Sequence, residues 1–388
     1  MIQILILTIF HFSPSSSAAN KVYNVMSFGA KPDSETDCAN AFLSAWGAAC
    51  STRQPATIYV PPGRYLLGNI RFDGASCKNN ATTIRIDGTL VAPLNYNVIG
   101  DTDSWVKFES VTGVSIYGGA LDGRGNGLWA CKNSGKTCPQ GATSLLFHNS
   151  KKIMVNGLTS TNSQMFHILL DGCHDVEFVN MKISAPGNSP NTDGIHVQQS
   201  SGVTIANSHI GTGDDCISIG PGNSNVWIDS LACGPGHGIS IGSLGWDMEE
   251  AGVENVTVKT VTLTGTENGL RVKTWARPSN GFVRNVLFQH IVMVNVQNPI
   301  IIDQNYCPND HNCPHQSSGV KISDVTYRDI HGTSATEVAI KFGCSKTYPC
   351  KGITLDQINL SHGDKTALAS CTNALGTATG VVRPTSCF

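Results

Sequence analysis

Four short segments hold the residues whose types and spacing could do chemistry: Asn191-Thr192-Asp193, Gly213-Asp214-Asp215, Gly236-His237-Gly238 and Arg271-Val272-Lys273. Carboxyl groups brought together can divide the work of protonating a leaving oxygen and activating a water. Crowding of like charges favours keeping one of them protonated. Arg271 and Lys273 are two residues apart, so on a strand they project from one face. Such a pair can bind a carboxylate, the guanidinium in a bidentate manner. Each segment also has a plainer reading when taken alone. An Asp-Asp pair is most often a turn, Gly-His-Gly is a tight turn, and Arg271 with Lys273 is an ordinary solvated face. Gly234-Pro235-Gly236-His237-Gly238 could pass for a phosphate loop, but it lacks the GxGxxG spacing and a following helix.

What could position these groups is a repeat. Asp193-Gly194-Ile195-His196-Val197, Asp215-Cys216-Ile217-Ser218-Ile219 and His237-Gly238-Ile239-Ser240-Ile241 share one pattern. It returns at Asn268-Gly269-Leu270-Arg271-Val272, at Asn298 to Ile302 and at Val338 to Phe342. Between these runs lies a second strand type, with Val203-Thr204-Ile205, Val226-Trp227-Ile228 and Val256-Thr257-Val258 among its examples. Several short alternating strands per period, bounded by Gly, Asn and Asp, are the mark of a solenoid. No single coil can bury its apolar side chains, but stacked coils can. The reading is an all-β chain, a right-handed parallel β-helix in one domain from residue 20 to 388. A β-propeller is the runner-up, but its blades need a longer and more regular period. Ala39 to Ala49 is expected to form an amphipathic helix over the N-terminal end of the core. Small residues at one repeat position, Gly194, Cys216, Gly238 and Gly269, are expected where the backbone bends. Equivalent positions stack at roughly 4.8 Å, so Asp193, Asp215 and His237 share a column beside Asp214. Strict alternation would drive Asp215 into the core at high cost. A bend is therefore expected there, turning the acids toward a surface cleft.

In this order, and with their flanks, the four segments resemble the signature motifs of the polygalacturonases, glycoside hydrolase family 28, in its plant branch. The flanks are Ser189 to His196, Gly211 to Gly220 and Cys233 to Gly245. Ile302-Asp303-Gln304-Asn305-Tyr306-Cys307 is similar to the family's tyrosine segment. Val272 stands where isoleucine is commoner, on the inward side. The resemblance implies an inverting hydrolase of α-1,4-linked galacturonic acid chains, with Asp214 as general acid and Asp193 and Asp215 activating water. It implies that His237 tunes the acid, that Arg271 and Lys273 bind a substrate carboxylate, and that Asn191 and Tyr306 hold neighbouring sugars. No metal or cofactor is expected. His148, His167 and His196 are read as structural. Three other functions compete, the first a relative acting on rhamnogalacturonan or xylogalacturonan, against which the Arg271/Lys273 pair favours a substrate with a carboxylate at the cleavage site. In a pectate lyase the paired acids would bind calcium and Arg271 would be the base. A non-catalytic pectin-binding β-helix would need a missing acid or basic group, and none is missing. Endo and exo attack both remain open, because that choice lies in the loops around the groove.

Composition agrees with an extracellular β-rich chain. Charged residues make up only 14% of the 388, glycines number 40, and the formal net charge is −2. Nothing there suggests a nucleic-acid partner, and a monomer is expected. Ile2 to Phe12 is apolar but too short to span a bilayer. Followed by Ser13 to Ala19, it reads as a signal peptide over residues 1–19, despite lacking a preceding Lys or Arg; a buried first strand is the alternative. Of fourteen cysteines, five close pairs are expected as disulfides: Cys131/Cys138, Cys216/Cys233, Cys307/Cys313, Cys344/Cys350 and Cys371/Cys387. Cys38, Cys50, Cys77 and Cys173 are left without assigned partners. Zinc binding by Cys307, Cys313 and His315 is the weaker reading of that loop. Asn80, Asn255 and Asn359 head glycosylation sequons.

Overall fold

A computed structural model describes residues 21–308 and 313–388. The expected signal peptide lies outside the described residues. Eleven strands, from Ile70–Asp73 to Leu368–Thr372, form one sheet in strict chain order, each parallel to the next. A larger sheet system wraps the other side. Separate strands there, such as Lys151–Asn156 and Thr159–Thr161, give way in later coils to long ones such as Val253–Thr264. Apart from the antiparallel Lys365–Thr366 pairing, it too is parallel. The chain is a right-handed parallel β-helix.

The interior is built from aligned ladders. Ile195, Ile217, Ile239, Leu270, Ile300 and Ile340 stand one above another, as do Val197, Ile219, Ile241, Val272, Ile302 and Phe342. All are buried. Opposite them, Val203, Val226, Val256, Val286, Val325 and Ile353 do the same. Each such side chain contributes about 1.5–3 kcal/mol on burial, which only the neighbouring coils make possible. The residues between, His196, Ser218, Ser240 and Arg271, share the outward face in the same register.

The small residues of the repeat have a different cause from the one expected. Only Gly238 of the three glycines needs a left-handed backbone, at φ +86°. A side chain at Gly194, Gly238 or Gly269 would press into the backbone carbonyl of the next coil. Close stacking, more than bending, thus selects glycine. The corners use asparagine instead. Asn225, Asn255 and Asn285 all take positive φ, which Asn tolerates, and their amides link at 3.2 and 3.3 Å. The Asn255 sequon therefore sits inside this ladder.

The two ends differ. An Ala-rich helix, Ala39–Ser51, buries Phe42, Ala45, Trp46 and Ala49 over the first coils. Asp37 accepts from the Ala39 N–H at its start, and Trp46 donates to the Asp73 carbonyl at 2.9 Å. From Trp46 a row of rings runs inward through Phe72, Phe108 and Phe147. At the other end Phe388 stacks on Phe342. The five expected disulfides are present, and a sixth joins Cys50 to Cys77. Cys38 and Cys173 are free and buried.

Candidate active site

A cleft of about 440 Å³ opens on the outward face of the eleven-stranded sheet. Asn191, Asp214, His237 and Glu267 line it from the turns that precede the strands, and Arg271, Lys273 and Tyr306 from the strands themselves. The turn before Ile217 separates the two adjacent acids. Gly213 N–H donates to Thr192 Oγ1 at 3.0 Å, and Asp214 Oδ1 accepts from the Asp215 N–H at 2.8 Å. Asp214 reaches the cleft as a result, while Asp215 is completely buried below it.

Asp215 survives burial because every direction around it is polar. Its Oδ1 accepts from Ser240 Oγ and Arg271 Nη2, and its Oδ2 from Lys273 Nζ, each at 2.8 Å. Burial alone would raise its pKa, but Lys273 and Arg271 outweigh it and hold the carboxyl below its usual range. The two cations are affected in kind: burial works to lower them, and Asp215 more than offsets this. Arg271 lies along the column, its Nε donating to Ser240 on the adjacent coil at 2.9 Å. Its fork is therefore partly committed within the protein, leaving the remaining N–H groups for a ligand.

Asp193, one coil away, has no cation in contact. Ser218 Oγ donates to its Oδ2 at 2.6 Å, and Ser218 also meets His196 Nδ1 at 2.7 Å. Burial, followed by the charges of Asp214 and Asp215, raises Asp193 well above the usual carboxylate range. Burial first, and crowding second, thus favour a proton on Asp193. Burial pushes His196 down to about 4, so it is neutral at ordinary pH, and it stacks on Phe166, in keeping with a structural role. His167 is buried against Ser160, and His148 pairs with Asp171.

His237 Nδ1 lies 3.0 Å from Asp214 Oδ1, and its Nε2 lies 3.4 Å from Glu267 Oε2. The hydrogen bond to Asp214, outweighing burial, raises the imidazole, with help from the charges of Asp214, Glu267 and Asp215. Asn191 is exposed at φ 55° on the rim. Tyr306 places its ring 5.2 Å from Lys273 Nζ.

All eight expected site residues thus gather around one cleft, but the acids do not all face it. Asp214 does; Asp193 and Asp215 lie beneath. Ser218, Ser240 and Glu267 complete the arrangement and were not singled out in the sequence. The two serines had a signal: both occupy the middle, outward position of the Ile-Ser-Ile repeats, level with Arg271. Glu267 had none, since one acid in a polar turn is unremarked. Cys307 and Cys313 are joined to each other, so the zinc reading of that loop is set aside. Among the described residues, the one cluster with metal-ligating types is Asp214, Asp215 and His237, and there Asp215 is already neutralised by two cations.

The family model for glycosyl hydrolases family 28 matches residues 50–382. A polygalacturonase of Prunus persica is 60% identical over 98% of this chain and 97% of its own length. An exopolygalacturonase of Platanus acerifolia is 43% identical over 94% and 97%. Among solved structures, an endo-xylogalacturonan hydrolase from Aspergillus tubingensis superposes with a TM-score of 0.81 at 24% identity, covering 93% of this chain and 99% of the other. A polygalacturonase from Erwinia carotovora gives 0.72 at 24%, covering 97% and 99%. At that identity the two structures speak for the fold.

Proposed function

Because the chain belongs to the glycosyl hydrolases of family 28, we propose that its cleft hydrolyses the α-1,4-galacturonosidic bonds of polygalacturonate with inversion at the anomeric carbon. The observation that carries this is the placement of one carboxyl, Asp214, in a cleft shared with Arg271 and Lys273. A polyanionic sugar chain needs cations to bind and an acid at the scissile oxygen. The polygalacturonase names of the relatives support the same substrate.

In this reading the three carboxyl groups divide the work. Asp215, held by two cations, stays ionised. Asp214 is the acid that delivers a proton to the scissile oxygen, since it alone of the three lines the cleft. Asp193 and Asp215 orient the attacking water from below, and Asp215, the ionised one of the two, takes its proton. Arg271 and Lys273 present their uncommitted N–H groups to the galacturonate carboxylate, while Asn191 and Tyr306 hold the adjoining sugars. The lyase alternative asks Arg271 to give up a proton, whereas its pairing with Asp215 holds that proton more tightly. Six disulfides support an extracellular site of action at the cell wall. The chain would act there as a monomer.

Proton NMR of fresh product from polygalacturonate tests the proposal. The β-anomer should appear first. Initial α-anomer would reject inversion, a 4,5-unsaturated product would establish elimination instead, and no cleavage would reject the substrate. Asp214→Asn should lower turnover by about 10²–10⁴-fold with the fold retained. A folded variant that keeps more than about a tenth of parental turnover would remove Asp214 from the acid's role.

A further inference from the structure

Glu267 ends the turn that leads into the strand carrying Arg271. Its backbone is fixed on both sides: its N–H donates to the Gly236 carbonyl at 2.9 Å, and its carbonyl accepts from the Asn298 N–H at 2.9 Å. The side chain is 48% exposed and lines the cleft. An acid in a cleft for a polyanion works against binding, so its presence calls for a reason. Its Oε1 accepts from Asn268 Nδ2 at 3.4 Å, and its Oε2 pairs with His237 Nε2 at 3.4 Å, on the opposite edge of the ring from Asp214.

We propose that Glu267 is a positioning residue that holds His237 doubly protonated and turned toward Asp214. This rests on the reading of Asp214 as the acid. A neutral imidazole has one N–H and one bare nitrogen, so it cannot satisfy a carboxylate at each edge. Asp214 Oδ1, the oxygen facing the ring, already accepts from the Asp215 N–H, so the acid's proton belongs on Oδ2, and between that Oδ1 and Glu267 only the imidazolium offers a proton to both. The groups facing the ring are Asp214 and Asp215 from the turn before Ile217, Glu267 from the turn before Leu270, and the cations Arg271 and Lys273 lining the same cleft. The carboxylates favour the charged ring and the cations oppose it. Both cations are already engaged by Asp215, which leaves Glu267 to tip the balance. A protonated His237 keeps its Nδ1–H directed at Asp214 Oδ1 as pH rises, and so holds the acid's carboxyl in one orientation over a wider range of pH.

The test compares the parent with Glu267→Gln and Glu267→Asp. The His237 ring is titrated by NMR without substrate, and kcat/KM on polygalacturonate is measured against pH. In Glu267→Gln the His237 midpoint should fall by about half a pH unit, the scale of a half-exposed ion pair. The alkaline limb of kcat/KM should move down with it, while Glu267→Asp retains part of both. An unchanged His237 midpoint overturns the proposal, as does a midpoint shift that leaves the alkaline limb in place. If the parent cleaves no polygalacturonate, the substrate reading fails on its own, and the His237 midpoint alone decides the role of Glu267.

Discussion

Asp193 and Asp215 are chemically identical, buried, and one coil apart, yet the fold treats them in opposite ways. Asp215 meets Arg271 and Lys273, whereas Asp193 meets a serine hydroxyl and two further carboxylates. The difference has a measurable sign. The folded-state pKa of Asp193 lies above its unfolded value, so the folded protein keeps a proton that the unfolded chain has released. The resulting stability is complete below about pH 4 and is lost as pH rises through the folded pKa. Asp215 is the reverse: its stabilisation is present above about pH 4 and is lost as pH falls through its depressed pKa. Asp193→Asn removes the first titration and keeps an oxygen for Ser218. The variant's Tm should exceed the parent's by a margin that widens between pH 4 and pH 7. A margin that stays flat with pH would show that Asp193 is not the strained carboxyl.

At the scale of a strand, precision comes from stacking. The Ile217–Ile219 strand has three residues, too few to hold a geometry alone. Its two isoleucines each sit between equivalent residues of the coils on either side, and both are fully buried. The turn bearing Asp214 and Asp215 is fixed only as well as this strand is. Ile217→Ala should therefore cost about 2–5 kcal/mol, read from urea midpoints. Its turnover should also fall by more than its unfolded fraction explains, because the turn loses its anchor. A variant with full specific activity would place the rigidity of the turn elsewhere, in the Cys216–Cys233 disulfide that flanks it.

Across the whole molecule, a solenoid has two open ends and needs a cover for each. Here the Ala39–Ser51 helix covers one, tied at its far end by Cys50–Cys77, while at the other Phe388, tied by Cys371–Cys387, stacks on Phe342 and leaves Leu368, Leu375 and Val381 exposed. Twelve cysteines are spent in bridges, and Cys38 and Cys173 remain. Burial raises Cys173 to about 11, and Cys38 is also raised, by burial first. Neither thiol should react in the native protein near pH 8. Thiol titration should find about none before denaturation and two per chain after it, without added reductant. A native protein that titrates freely would mean that the helix cap opens or that the bridges differ.

The spacing of the Ile-x-Ile runs was enough to derive stacked parallel coils, inward ladders and the column of acids, because side-chain alternation and coil register follow from sequence periodicity alone. Motif order identified the eight residues around the cleft. The close cysteine pairs were legible for the same reason, since short loops leave few alternatives. Burial and partnership were not legible. Asp214 and Asp215 are neighbours in sequence, and only the turn geometry sends one to the cleft and the other beneath it. Arg271 reads as a free cation until the fold brings Ser240 and Asp215 within reach from two earlier coils. Glu267 acquires its meaning from His237, thirty residues earlier. Cys50 and Cys77 could be joined only once the helix was docked. Contacts across coils depend on how far each turn carries the chain sideways, and that distance is set by packing among all the coils together.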